Sequence, residues 1–207
     1  MKLPNKQHTD LSSFLEAYFL GLETAYKSID QNLLEKIAHI LTDIILERKT
    51  IYTCGNGGST AISEHFIADF LKGTSSNTTI SPILHSLSSN VPTLTAVAND
   101  ISYEEVFSFQ LSRYGKEGDA LLCVSSSGNS PNIISAIQEA SSIGMHTISF
   151  VGFDGGEAKK ISDYCIHIPI HNYGVVEDAH HTLMHILSQF IRMKHLENPE
   201  DLEKIKF

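Results

Sequence analysis

The chain has 207 residues, 42% of them hydrophobic, enough to bury the core of one compact domain without disulfide or metal staples. Its formal charge of −9 argues against a general nucleic-acid surface, which needs clustered Lys and Arg. The scattered Cys54, Cys123 and Cys165 form no disulfide framework, and neither a signal peptide nor a membrane span is legible, so a cytoplasmic protein without a membrane or nucleic-acid partner is expected.

In chain order, Leu11, Phe14, Leu15, Tyr18, Leu22, Ala25, Tyr26 and Ile29 recur at helical spacing behind a possible cap at Asp10. A second amphipathic helix starts near Asp30 and runs through Leu34, Ile37, Leu41, Ile44 and Ile45, completing an N-terminal helical pair over about 10–48. From Thr50 the pattern alternates. Apolar runs at 50–54, 93–98, 119–124, 146–151 and 164–170 read as strands, and stretches near 59–72, 102–114, 131–143 and 155–162 read as helices. Such alternation predicts an α/β fold: a five-stranded parallel sheet over about 50–170 with helices on both faces. The Ser/Thr/Asn/Pro-rich segment 74–92 reads as a surface loop, with Ile83-Leu84 as a short apolar run inside it. A last helix spans about 175–195, and nothing marks a second domain within 1–207.

Two segments share one design, a short apolar strand followed by a Gly/Ser/Asn turn and a helix opening on a serine. They are Cys54-Gly55-Asn56-Gly57-Gly58-Ser59 and Ser125-Ser126-Ser127-Gly128-Asn129-Ser130. Backbone N–H groups, hydroxyls and a helix dipole meeting at one point suit a phosphate. The first turn lacks the Gly-Lys-Ser/Thr ending of a P-loop, and Thr60 stands where a dinucleotide fingerprint needs glycine. In the second, capping accounts for Ser130 before Pro131, but not for the hydroxyls of Ser125, Ser126 and Ser127. In an open parallel sheet both turns lie beyond the carboxyl ends of strands, where ligands bind, as does Asn99-Asp100.

His65 and Asp69 share one face of the helix that begins at Ser59, and Glu177, His181 and His185 recur at four on the last helix. If they converge, these imidazoles and carboxylates offer a site for Zn²⁺ or for proton transfer, while solvated helix faces and a buried, hydrogen-bonded histidine among His180 and His181 are the plainer alternative.

The ordered set Cys54 to Ser59, His65, Ala98-Asn99-Asp100 with Tyr103-Glu104-Glu105-Val106-Phe107, Ser125 to Ser130, and His185 resembles the sugar isomerase (SIS) domain proteins, and among them the phosphoheptose isomerases. The resemblance extends from the first helix to about residue 195. It implies a three-layer flavodoxin-like fold and a homotetramer with interfacial active sites. The implied reaction interconverts sedoheptulose 7-phosphate and a mannoheptose 7-phosphate for lipopolysaccharide or another surface polysaccharide. Phosphate contacts then fall on Ser125, Ser126, Ser127 and Ser130, and sugar contacts on Asn56, Gly57, Gly58, Ser59, Asp69, Asn99, Asp100 and Glu177. Asp69 and His185 take the catalytic positions, and one Zn²⁺ per subunit falls to His65, Asp69, Glu177 and His185. The family usually has Glu at the place of Asp69 and Gln at that of Glu177. Relatives with this domain also include isomerases of other phosphosugars, tetrameric adaptors that bind the replication initiator, and sugar-phosphate sensors, so those readings stand beside phosphoheptose isomerisation.

Overall fold

The computed structural model describes residues 1–203; the last four positions of the single domain expected over 1–207 lie outside the described residues. Two helices, α1 (Leu11–Lys27) and α2 (Gln31–Leu46), open the chain, capped by Asp10 and Asp30, whose side chains accept from the backbone N–H of Ser13 and Leu33. Strand β1 (Thr50–Gly55) leads into α3 (Gly58–Ala68), which widens into a π-helical segment over Asp69–Thr74. Then follow β2 (Ile83–Ser86), α4 (Val91–Asp100), a 3₁₀ turn at Tyr103–Glu105 and α5 (Ser108–Tyr114). The remaining elements are β3 (Ala120–Ser125), α6 (Pro131–Ile143), β4 (His146–Val151), α7 (Ala158–Ile161), β5 (Tyr164–His167) and α8 (Tyr173–Lys194).

The five strands form one parallel sheet in the order β2-β1-β3-β4-β5. Alternation along each strand feeds two cores. Ile51, Leu122, Val124, Ile148 and Phe150 point to the face covered by α1, α2, α3 and α8, while Tyr52, Cys54, Leu121, Cys123 and Val151 point to that covered by α4 to α7. The chain is therefore three-layered and flavodoxin-like. Because β1 leads to α3 on one face and neighbouring β3 leads to α6 on the other, a crevice opens between their carboxyl ends, the switch point at which such sheets bind ligands.

The structure corrects one strand. The run at 93–98 lies inside α4, and the second strand is Ile83–Ser86, within the segment expected to be a loop. Asn90 caps α4 by accepting from the N–H of Thr93, Pro92 occupies its first turn, and Leu94, Val97 and Ala98 face the core at helical spacing. Asn99-Asp100 accordingly end a helix and do not follow a strand. No described helix is long and apolar enough to cross a membrane.

Candidate functional site

The serine turn closes off the carboxyl end of β3. The Ser125 hydroxyl accepts from the N–H of Gly128 (3.2 Å) and that of Ser127 from the N–H of Asn129 (3.2 Å), which curls the backbone toward the α6 N-terminus. Ser130 occupies the N-cap position of α6 but its side chain makes no capping bond, so the hydroxyl stays available. The buried hydroxyl of Ser126 has no partner among the described residues. A buried polar atom without a partner costs stability, and a ligand seated on this turn would offset that cost.

Across the crevice, Gly57 has φ of 55° as it enters α3, a conformation that favours glycine. At Gly58 a Cβ would stand 2.5 and 2.8 Å from the carboxylate oxygens of Glu177, so that carboxylate rests directly over the start of α3. A reciprocal amide pair joins the two turns. Asn56 Nδ2 donates to Asn132 Oδ1 (2.8 Å) and Asn132 Nδ2 to Asn56 Oδ1 (2.9 Å), with the Tyr103 hydroxyl donating to the same Asn56 oxygen (2.9 Å). Together Asn56, Ser59, the four serines, Tyr173 and Glu177 line a cavity of about 140 Å³. Burial, and then the neighbouring Asp178, push the Glu177 carboxyl above its ordinary pKa.

Further along the α3–α8 seam the titratable side chains meet. Asp69, the first residue of the π-helical segment, places Oδ2 2.6 Å from His185 Nδ1 and Oδ1 3.3 Å from His65 Nε2. His181 Nε2 lies 3.0 Å from His65 Nδ1, and the pKa of His181 is lowered by burial and then by its imidazole neighbours His185 and His65. Asp69 and His185 open onto a second cavity of about 290 Å³ that is also lined by Ser188, Gln189 and Arg192.

The structure thus brings together Ser125, Ser126, Ser127, Ser130, Asn56, Ser59 and Glu177 in one cavity, and His65, Asp69 and His185 in an adjoining cluster. It does not bring Glu177 into the histidine group, where His181 stands instead. Asn99 and Asp100 are exposed, bonded to each other (2.8 Å), and line neither cavity. Sequence reasoning missed Asn132, Tyr173 and Arg192. For Asn132, its place in the first turn after the serine cap was the available signal, whereas Arg192 reaches the site only through the seven-residue stagger from His185 on α8.

The parallel sheet carries a serine-lined turn at its switch point and a carboxylate–imidazole cluster beside it, and residues 17–152 match the family model described as the SIS domain; the chain belongs to that family. Its similarity runs to phosphoheptose isomerases. It is 36% identical over 191 residues to that of Helicobacter pylori, covering 87% of this chain and 95% of the relative. With that of Clostridium acetobutylicum it shares 35% over 187 residues, covering 87% and 94%. Among solved structures, the phosphoheptose isomerase of Neisseria gonorrhoeae superposes with a TM-score of 0.80 at 28% identity, covering 87% of this chain and 96% of that one. That of Francisella tularensis gives 0.82 at 26%, covering 88% and 96%.

Proposed function

We propose that this chain is a cytoplasmic phosphoheptose isomerase that converts sedoheptulose 7-phosphate to D-glycero-D-manno-heptose 7-phosphate through an enediolate, supplying a heptose for lipopolysaccharide or another surface polysaccharide. The observation that carries this reading is the line along α8 from the serine cradle beside Glu177 to the Asp69–His185 pair. Eight residues at 1.5 Å rise separate Glu177 from His185 by about 12 Å. An open-chain heptose has six C–C bonds of about 1.5 Å and reaches roughly 8 Å. A phosphate on the serine turn therefore puts C1 and C2 at the imidazole end.

Ser125, Ser126, Ser127 and Ser130 with the α6 N-terminus hold the phosphate. Asn56, Gly57, Gly58, Ser59 and Glu177 border the sugar, with Asn99 and Asp100 as outer contacts. Asp69 takes a C1 proton from the ketose and returns it at C2, and the His185 imidazole bonded to its Oδ2 keeps the carboxylate aimed and shares its charge. The accompanying proton exchange between O1 and O2 falls to the imidazoles beside it. The imidazoles of His65 and His185, each facing the Asp69 carboxylate, fit a divalent cation such as Zn²⁺, which when bound would supply electrostatic stabilisation for oxyanion charge at O1 and O2.

The exposed apolar side chains of α1 support a homotetramer with its sites near the subunit interfaces.

Incubation with sedoheptulose 7-phosphate should yield the aldose by NMR. Asp69→Asn should cut kcat by about a hundredfold or more. Ser126→Ala combined with Ser130→Ala should instead raise KM about a hundredfold or more, each lost hydrogen bond to the charged phosphate contributing roughly 1.5–3 kcal/mol. If the wild-type protein turned over neither this substrate nor a panel of other ketose phosphates, the isomerase reading would give way to a binding role such as a tetrameric adaptor.

A further inference from the structure

We infer that His181, and not Glu177, completes the divalent-cation site with His65 and His185, and that Asp69 braces His65 and His185 from behind. The inference rests on the cation part of the function proposed above.

One ligand nitrogen from each of His65, His181 and His185 lies within 4.8 Å of the others. The ring centroids form a near-equilateral triangle, with separations of 4.7 Å (His65–His181), 5.0 Å (His65–His185) and 4.8 Å (His181–His185). A tetrahedral Zn²⁺ with Zn–N bonds of about 2.0–2.1 Å sets its nitrogens roughly 3.3 Å apart. His181 Nε2 and His65 Nδ1, at 3.0 Å, already approach that spacing. Small rotations of half-exposed rings separate the cluster from a ligating arrangement.

Asp69 determines which nitrogens are available. Its carboxylate faces His65 Nε2 through Oδ1 and His185 Nδ1 through Oδ2. With protons held on those outer nitrogens, the lone pairs of His65 Nδ1 and His185 Nε2 are left for a cation. This is how a carboxylate outside the ligand set fixes the tautomer and orientation of metal-binding imidazoles. Glu177 lies outside the trio, its carboxylate seated over Gly58 in the serine-lined cavity. Three neutral imidazoles leave one tetrahedral position for a ligand oxygen, which is the composition of a reactive site more than of a structural one.

The test reads metal binding and not turnover. Protein stripped with a chelator is titrated with Co²⁺, following its visible absorption, and Zn²⁺ affinity is obtained by competition, for wild type, His181→Ala, His181→Asn and Glu177→Gln, each checked for folding by circular dichroism. Wild type should bind one ion per chain with tetrahedral Co²⁺ bands. Glu177→Gln should keep its spectrum and its affinity to within about threefold, whereas both His181 variants should weaken binding about a hundredfold or more, at or beyond the upper range seen for outer-sphere partners. Retention of wild-type binding by the folded His181 variants, or its loss in Glu177→Gln, would overturn the assignment while leaving a metal site in place. Failure of the wild type to bind either ion would overturn both this inference and the cation part of the proposed function, while the NMR turnover assay continues to decide the isomerase reading.

Discussion

His180 and His181 are neighbours in sequence with opposite environments: the first is fully buried beneath α8 against Phe150, and the second faces the imidazole cluster. Helical geometry turns successive residues by about 100°, so one of any adjacent pair on an amphipathic helix faces the core. Burial lowers the His180 pKa from 6.5 to about 4, an effect partly offset by the backbone of Val151. Between these values the unfolded chain binds the extra proton, so the contribution to stability is fully present above pH 6.5 and is lost as pH falls toward 4. From pH 6.5 to 5 the integrated loss is about 1.5 kcal/mol, the slope reaching 1.36 kcal/mol per pH unit only between the two pKa values. Urea denaturation at the two pH values should show that extra loss in wild type relative to His180→Leu, which keeps an apolar side chain of similar size; equal pH slopes in the two proteins would show that His180 does not set the acid limb.

The turn between β3 and α6 is an element held from outside. Gly128 has φ of 63°, and a Cβ there would stand 2.1 Å from the carbonyl oxygen of Gly155. The N–H of Ala158 donates to the Gly128 carbonyl at 2.9 Å, and that of Glu157 donates to Asn129 Oδ1 at 3.0 Å, so the segment before α7 clamps the serine turn. Gly128→Ala should therefore lower stability by about 2 kcal/mol or more, from left-handed strain and backbone collision together, and raise KM for the phosphosugar; thermal melts and steady-state kinetics check both effects. An unchanged melting temperature would mean that the clamp yields freely. Both turns were legible because Gly, Ser and Asn after a strand have few other uses, and β1, β3 and β4 were legible as mostly apolar runs of strand length. Strand β2 was not. It is a four-residue edge strand in which only Ser86 is buried, so its sequence offers just the apolar pair Ile83-Leu84, too short to stand out from a loop, while the short apolar repeat of α4 resembles a strand unless its Asn90 cap and Pro92 are weighed first. The histidine cluster was half legible: spacing placed His65 and Asp69 on one face and Glu177, His181 and His185 on another. Which of the three meets His65 and Asp69 depends on the offset between two packed helices, and no single-helix periodicity contains that offset.

At the scale of the whole molecule the two helical layers are unequal in what they leave uncovered. On α1, Ala25 and Gly21 pack inward, whereas Leu11, Leu15 and Phe19 recur at four on the outer side with 79%, 50% and 59% of their surface exposed, next to exposed Leu20. On α8, Ile186 and Met193 repeat at seven and are exposed as well. Isolated exposed apolar residues are ordinary, but a continuous stripe along one helix marks a surface that another protein covers. The same helix pair forms the layer that contains the imidazole cluster, in which His65 remains 44% exposed at its side chain, so assembly on this face would bring a second subunit close to the open side of the site. Light scattering coupled to size exclusion should find the wild-type protein at about four times its chain mass, and Leu15→Glu combined with Phe19→Glu at a smaller mass, because charges buried without partners oppose assembly by several kcal/mol. The double variant should retain its circular dichroism, since neither side chain is buried in the isolated chain, and should lose isomerase activity in parallel with its loss of mass if a neighbouring subunit completes the site. Full activity in a dissociated variant would confine the chemistry to one chain, and an undiminished mass would exclude this stripe as the assembly surface.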